Sequence, residues 1–270
     1  MPALVVGGCL AAISGSAFAD DDVAPVSTAP DGGDAVRRGV QGPEGLLAAR
    51  VLLAMNLSKG AVGEPLSLAP DLFYSVTDRL QLGLVHDGPM RWQSRPGLGL
   101  CLTGKTHGCA SVYDNIGVDL MYGLAFGSQL HLSAHGAFYV TSFDNSTTML
   151  ALGAAGKLHF SDTVALFFDP QIGIELSKRD TADDALFVPL ELQFQVTTPT
   201  TFKVLSGISG GLSHFGDTVE IPLGLGLVHS FTEHVDLGGR VSFDNLLGHQ
   251  PDGVGRADAR SIALLLLVRN

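Results

Sequence analysis

Residues 74–86 read YSVTDRLQLGLVH, and the same cadence returns as LHFSDTVALFF at 158–168 and HSFTEHVDLGG at 229–239. In each, a hydrophobic residue precedes Ser or Thr, polar residues follow, and alternating hydrophobics resume. Ser, Thr and Asp side chains bond nearby backbone groups, which suits them to a reversal between two strands. The phrases therefore predict hairpin turns, and the segments that flank them decide the fold.

Those segments have a period of two. From Arg50 onward, Val51, Leu53, Met55 and Leu57 fall on one face and Arg50, Ala54, Asn56 and Ser58 on the other. Ile116, Val118, Leu120, Tyr122 and Leu124 oppose Asn115, Gly117, Asp119 and Gly123. Leu132, Ala134, Gly136, Phe138 and Val140 oppose His131, Ser133, His135 and Tyr139. The stretches 164–176 and 186–196 repeat the pattern, with Asp169, Gln171, Glu175, Glu191, Gln193 and Gln195 on their polar faces. Side chains at i and i+2 share a face only in a strand.

About twelve strands (10–14) follow, at roughly 48–58, 65–76, 79–87, 111–124, 128–141, 146–160, 163–177, 183–197, 199–210, 217–231, 234–244 and 257–269. Many have the 10 to 13 residues that a tilted strand needs to cross a bilayer. Charged residues are only 16% of the chain and glycines number 34, with a positive mean hydropathy. Water does not suit so apolar an outer face, whereas lipid does. Connections alternate between tight turns (VTDR, AFGS, FSDT, TTPTT, FTEH) and longer polar loops, the first of which, KGAVG, is also short. This is the pattern of an antiparallel transmembrane β-barrel with short periplasmic turns and longer extracellular loops. Pro70, Pro170, Pro189 and Pro222 fall inside proposed strands, where bulges or shifted boundaries are expected.

The N-terminus agrees with export. Residues 1–19, MPALVVGGCLAAISGSAFA, are apolar and small and predict a signal peptide cleaved after Ala19. Residues 20–45, rich in Asp, Pro and Gly, read as a flexible periplasmic linker, and 46–270 as the barrel. In an oxidising compartment Cys101 and Cys109, eight apart, suit a local disulfide in the loop 88–110. A net charge of −11 without any basic run argues against a nucleic-acid surface.

The segment LAPDLFYSVTDRLQLGLVHDG, with its two echoes, resembles a phrase of Gram-negative outer-membrane β-barrel proteins. A strand there ends in an aromatic residue, turns through Thr-Asp and restarts on alternating leucines. The resemblance implies outer-membrane localisation, contact with outer-membrane lipids and handling by the barrel-assembly machinery. Such barrels usually end in an aromatic residue that this machinery reads, whereas this chain ends LLLLVRN.

With the apolar face turned to lipid, the polar face holds the chemistry. Pore-lining candidates are Arg50, Asp71, Asp119, His131, His135, Lys157, Asp169, Glu175, Glu191, Lys203, Glu220, Asp236 and Arg240. Acids outnumber bases, which predicts a passive pore for small hydrophilic solutes with slight cation preference. A closed barrel that displays its loops is the alternative, and whether the lumen is open or plugged stays undecided. His131 and His135 stand about 13 Å apart along a strand, too far to share a metal ion. Ser133 and Ser230 each neighbour a histidine in sequence, yet adjacent residues of a strand point to opposite faces, so neither builds a hydrolase couple. No cofactor and no catalytic set is expected.

Overall fold

A computed structural model of the chain describes residues 34–270 apart from 87, 91–95 and 251–254. The expected signal peptide and most of the linker lie outside the described residues, as do Arg91, Trp92 and Arg95. The strands are β1 (Leu47–Asn56), β2 (Leu66–Ser75), β3 (Leu80–Val85), β4 (Gly99–Cys101), β5 (Tyr113–Asp114), β6 (Ile116–Phe126), β7 (Leu130–Ser142) and β8 (Thr147–Ser161). They continue with β9 (Val164–Phe168), β10 (Gln171–Glu175), β11 (Ala185–Thr197), β12 (Thr200–Gly211), β13 (Leu223–Ser230), β14 (Val235–Phe243) and β15 (Arg260–Arg269).

All pairings between them are antiparallel, and β1 pairs with both β2 and β15, which closes the sheet on itself. β9 and β10 are two halves of one wall strand between β8 and β11, while β4 and β5 belong to a loop. The wall is thus a closed barrel of twelve strands, as the alternation predicts. No helix among the described residues is long and apolar enough to cross a membrane.

The three echoed phrases are hairpin turns at one end of the barrel, and a hydroxyl shapes each. Arg79 N–H donates to Thr77 Oγ1 (3.2 Å), Thr163 N–H to Ser161 Oγ (3.3 Å) and His234 N–H to Thr232 Oγ1 (3.1 Å). Around this end Tyr74, Tyr122, Phe160 and Phe231 point outward and exposed, an aromatic girdle of the kind that sits at a membrane interface. Both barrel ends of the chain meet here, where Leu47 N–H donates to Asn270 Oδ1 at 2.9 Å.

Alternation sorts the two faces as the sequence predicts. Val118, Leu124, Leu225 and Leu264 are more than half exposed on the outside, while Asp119, Asp169, Ser133 and Ser261 are fully buried within. The interior also takes apolar residues. Val85, Ala137, Tyr139, Met149 and Ala151 form one internal cluster with Phe73 and Phe187, and Leu52, Ala54, Ala69 and Ala263 form a second. A twelve-stranded barrel is narrow enough for side chains to fill a good part of it.

Two of the four prolines break the wall. Pro170 separates β9 from β10, and Pro222 sets the start of β13, before which Phe215–Thr218 make a single helical turn, α1. Pro70 and Pro189 stay within continuous strands. The break at Pro170 leans on Gly153 of β8, where a Cβ would stand 2.0 Å from the Pro170 carbonyl oxygen. Gly153→Val is therefore expected to cost about 1–3 kcal/mol or more through overpacking. Gly136→Ala, where a Cβ meets nothing nearer than 3.6 Å, is expected to be nearly neutral. Urea midpoints of the heat-modifiable folded band compare the two; equal midpoints would contradict the packing account.

Candidate functional site

The barrel interior is a column of charged groups that the strand register brings together. At its middle, His135 of β7 lies between two carboxylates from other strands. Its Nε2 is 2.6 Å from Asp119 Oδ2 on β6, and its Nδ1 is 2.7 Å from Asp169 Oδ1 at the β9–β10 break. All three side chains are fully buried. If both carboxylates are ionised, both ring nitrogens must carry protons, so the ring is a cation clamped between anions.

Elsewhere on the inner wall, Arg50 of β1 binds Asp71 of β2 through Nε (2.7 Å) and Nη2. Asp71 Oδ1 also accepts the His86 backbone N–H at 2.8 Å, and His86 Nε2 meets Tyr113 Oη at 2.6 Å. Toward the short-turn end, Lys203 Nζ binds Glu191 Oε1 at 2.7 Å, and Arg269 Nη1 binds Asp236 Oδ2 at 2.8 Å.

The other candidates are less central. His131 stacks edge-on with His159, ring centroids 5.5 Å apart. Glu175 accepts from Ser177 Oγ at 3.0 Å near the long-loop rim, Glu220 bridges to Ser209 outside the named strands, and Arg240 is half-buried on β14. Among the described residues neither candidate serine bonds a histidine: Ser133 Oγ is buried without a hydrogen-bond partner, and Ser230 Oγ accepts from Arg38 Nη2 at 3.0 Å. On the outer loops Asp183, Ser213 and His214 do touch. The Ser213 hydroxyl donates to Asp183 and holds that carboxyl below its ordinary pKa. One ring nitrogen, His214 Nδ1, faces both Ser213 (3.2 Å) and Asp183 (3.6 Å), which is not the relay a hydrolytic triad needs.

Residues 34–45 supply what linker composition does not suggest. They cross the short-turn mouth of the barrel and bond to strands all around it. Arg38 Nη1 binds Asp236 Oδ2 at 2.5 Å, and Val36, with no exposed surface, donates its N–H to Gln195 Oε1 at 3.3 Å. Lys157 Nζ donates to the Ala35 and Arg38 carbonyls at 2.7 and 2.9 Å. Arg37 pairs with Asp162 at 3.3 Å, and the Gly42 N–H donates to Gln81 Oε1 at 3.2 Å. Between this segment and the wall lies a cavity of about 220 Å³, lined in part by Lys157, Glu191, Lys203 and Asp236.

The opposite end is narrowed by the loop after β3. The Cys101–Cys109 disulfide is formed, and β4 pairs with β2 so that part of the loop becomes wall. Gly99 is required there: its φ is +71°, and a Cβ would lie 2.6 Å from the Leu68 carbonyl oxygen. Asn115, at φ 58°, ties the loop ends together by accepting from Gly99 N–H at 2.9 Å and donating to the His86 carbonyl. Met90, buried, reaches across the interior to Gly207 of β12, on the opposite wall, where a Cβ would meet its terminal methyl at 3.2 Å.

The central charge cluster makes a stability prediction. His135→Leu leaves two buried carboxyl groups without their shared partner and is expected to cost about 3–5 kcal/mol in urea unfolding of the refolded barrel. The triple change Asp119→Asn, Asp169→Asn, His135→Gln removes the charges together and is expected to cost less than His135→Leu alone. The reverse order would contradict the clamp.

No family model and no curated protein sequence matches the chain. Solved structures do. The NanC porin in a rhombohedral crystal form is 7% identical with a TM-score of 0.56, over 82% of this chain and 98% of its own. The KdgM porin is 8% identical with a TM-score of 0.54, again over 82% and 98%. An outer membrane channel from Pseudomonas putida F1 is 14% identical with a TM-score of 0.54, over 85% and 97%. At such identities the likeness is one of fold: this chain is an outer-membrane-type β-barrel built as porins are.

Proposed function

We propose that the protein is a passive outer-membrane pore for small hydrophilic solutes, and that residues 34–42 hold it shut from the periplasmic end. The observation that carries this reading is the seating of that segment in the barrel mouth. Its attachment is made of a few polar bonds and the single buried side chain of Val36 rather than an extended apolar core. A contact of that kind can open without unfolding the wall.

Export by residues 1–19, cleavage after Ala19 and insertion by the barrel-assembly machinery belong to the same reading. The candidate carboxylates Asp71, Asp119, Asp169, Glu175, Glu191, Glu220 and Asp236 outnumber the candidate bases Arg50, Lys157, Lys203 and Arg240, and Arg38 and Arg269 on Asp236 narrow that excess, which supports no more than a slight cation preference. The preference is slight because most of the central acids already face a cation. A second reading, a closed barrel that displays its loops, is favoured by the internal apolar clusters and by Met90 across the opposite end.

Planar-bilayer recordings of the full chain and of a variant lacking 34–42 separate the two. The pore reading expects rare, brief openings from the full chain and long, weakly cation-selective openings from the deletion. Silence from both would leave the closed barrel, and clear anion selectivity would overturn the charge argument.

A further inference from the structure

The cavity beneath the plugging segment is charged in an uneven way. Asp236 has two cationic partners, Arg38 from the segment and Arg269 from the wall, so it stays paired if the segment leaves. Glu191 is paired with Lys203 at 2.7 Å. Lys157 differs. Among the described residues no carboxylate lies within ion-pair distance of it, and its ammonium rests on two carbonyl oxygens that the segment itself provides. Lys157 is only 3% exposed with the segment seated, and departure of the segment would uncover its ammonium to the lumen without those two acceptors.

A second group in the same cavity lacks a partner. Gln193 is 6% exposed, and its Nε2 donates to Glu191 Oε1 at 2.5 Å, which fixes the orientation of the amide. Its Oε1, enclosed while the segment is seated, meets no donor among the described residues. Leu265, Leu267 and Phe167 complete the lining with apolar surface.

We propose that this cavity binds a small hydroxycarboxylate, whose carboxylate takes Lys157 in place of the Ala35 and Arg38 carbonyls and whose hydroxyl donates to Gln193 Oε1. A short carbon body fits against the leucines, and about 220 Å³ is ample for a solute of three to six carbons. Because carboxylate and segment use the same ammonium protons, solute and plug compete, and the solute opens the mouth that holds it. The inference rests on the reading of residues 34–42 as a displaceable plug, and it does not depend on conduction.

Hydrogen–deuterium exchange of residues 35–42 in the full chain, followed by mass spectrometry in detergent, tests it with three isosteric probes. Lactate is expected to speed exchange of the segment about tenfold at ten times its Kd, by mass action. Propionate, which lacks the hydroxyl, is expected to need a higher concentration, and propane-1,2-diol, which lacks the charge, to have no effect. In Lys157→Met the segment is expected to exchange fast without any probe and to ignore lactate. Equal effects of lactate and the diol, no effect of either, or a full lactate response in Lys157→Met would overturn the site. The probe series needs only the natural chain, so the test stands if the variant does not fold. Slow exchange that no probe alters, together with long openings from the deletion variant, would remove the ligand and keep the plug.

Discussion

Closure of the sheet is the constraint on which the rest depends. Within hydrocarbon no water is available to satisfy a backbone N–H or C=O, so a strand edge left open there is very costly. β1 meets this demand by pairing on both sides, with β2 over Leu47–Met55 and with β15 over Ala48–Asn56. Closure also fixes the meaning of alternation. Every second residue must face lipid, and the others must share a narrow interior. The apolar outer face and the charged column follow from that geometry and from no separate requirement.

The interior then has its own problem, which is charge. Acids and bases that share a low-dielectric space must pair or be neutral. Arg50 with Asp71, Lys203 with Glu191 and His135 between Asp119 and Asp169 solve this across strands, between residues distant in sequence. Lys157 is solved differently, by backbone carbonyls from outside the wall. That exception ties the barrel to its N-terminal segment and makes the segment part of the lumen chemistry.

How much of this the sequence displays depends on the range of the interaction. The turns at Thr77, Ser161 and Thr232 were legible because a hydroxyl acts two residues away. The strands were legible because a period of two is local, although Asn115 at positive φ moved the start of β6 and Pro222 that of β13. The inward facing of Asp119, His135 and Asp169 followed from the same period. Their meeting did not, because it depends on register between β6, β7 and the β9–β10 break. Met90 against Gly207 joins positions on opposite walls, six strands apart in either direction, and nothing near either residue announces it. Residues 34–45 gave no signal because their bonds run through backbone groups and single polar side chains. Such contacts leave no periodic trace, and composition alone suggests a linker.

The central claim is that residues 34–42 occupy the barrel mouth, and a cross-link tests it most directly. A Cβ at Gly39 would stand 3.2 Å from His131 Nδ1, so thiols placed at these two positions fall within the span of a short bis-maleimide reagent. In Gly39→Cys, His131→Cys the account predicts that this reagent links the two positions in the folded barrel, read by mass spectrometry of the digested protein. Separate modification of the two thiols with no linked peptide, in a barrel that otherwise folds, would contradict it.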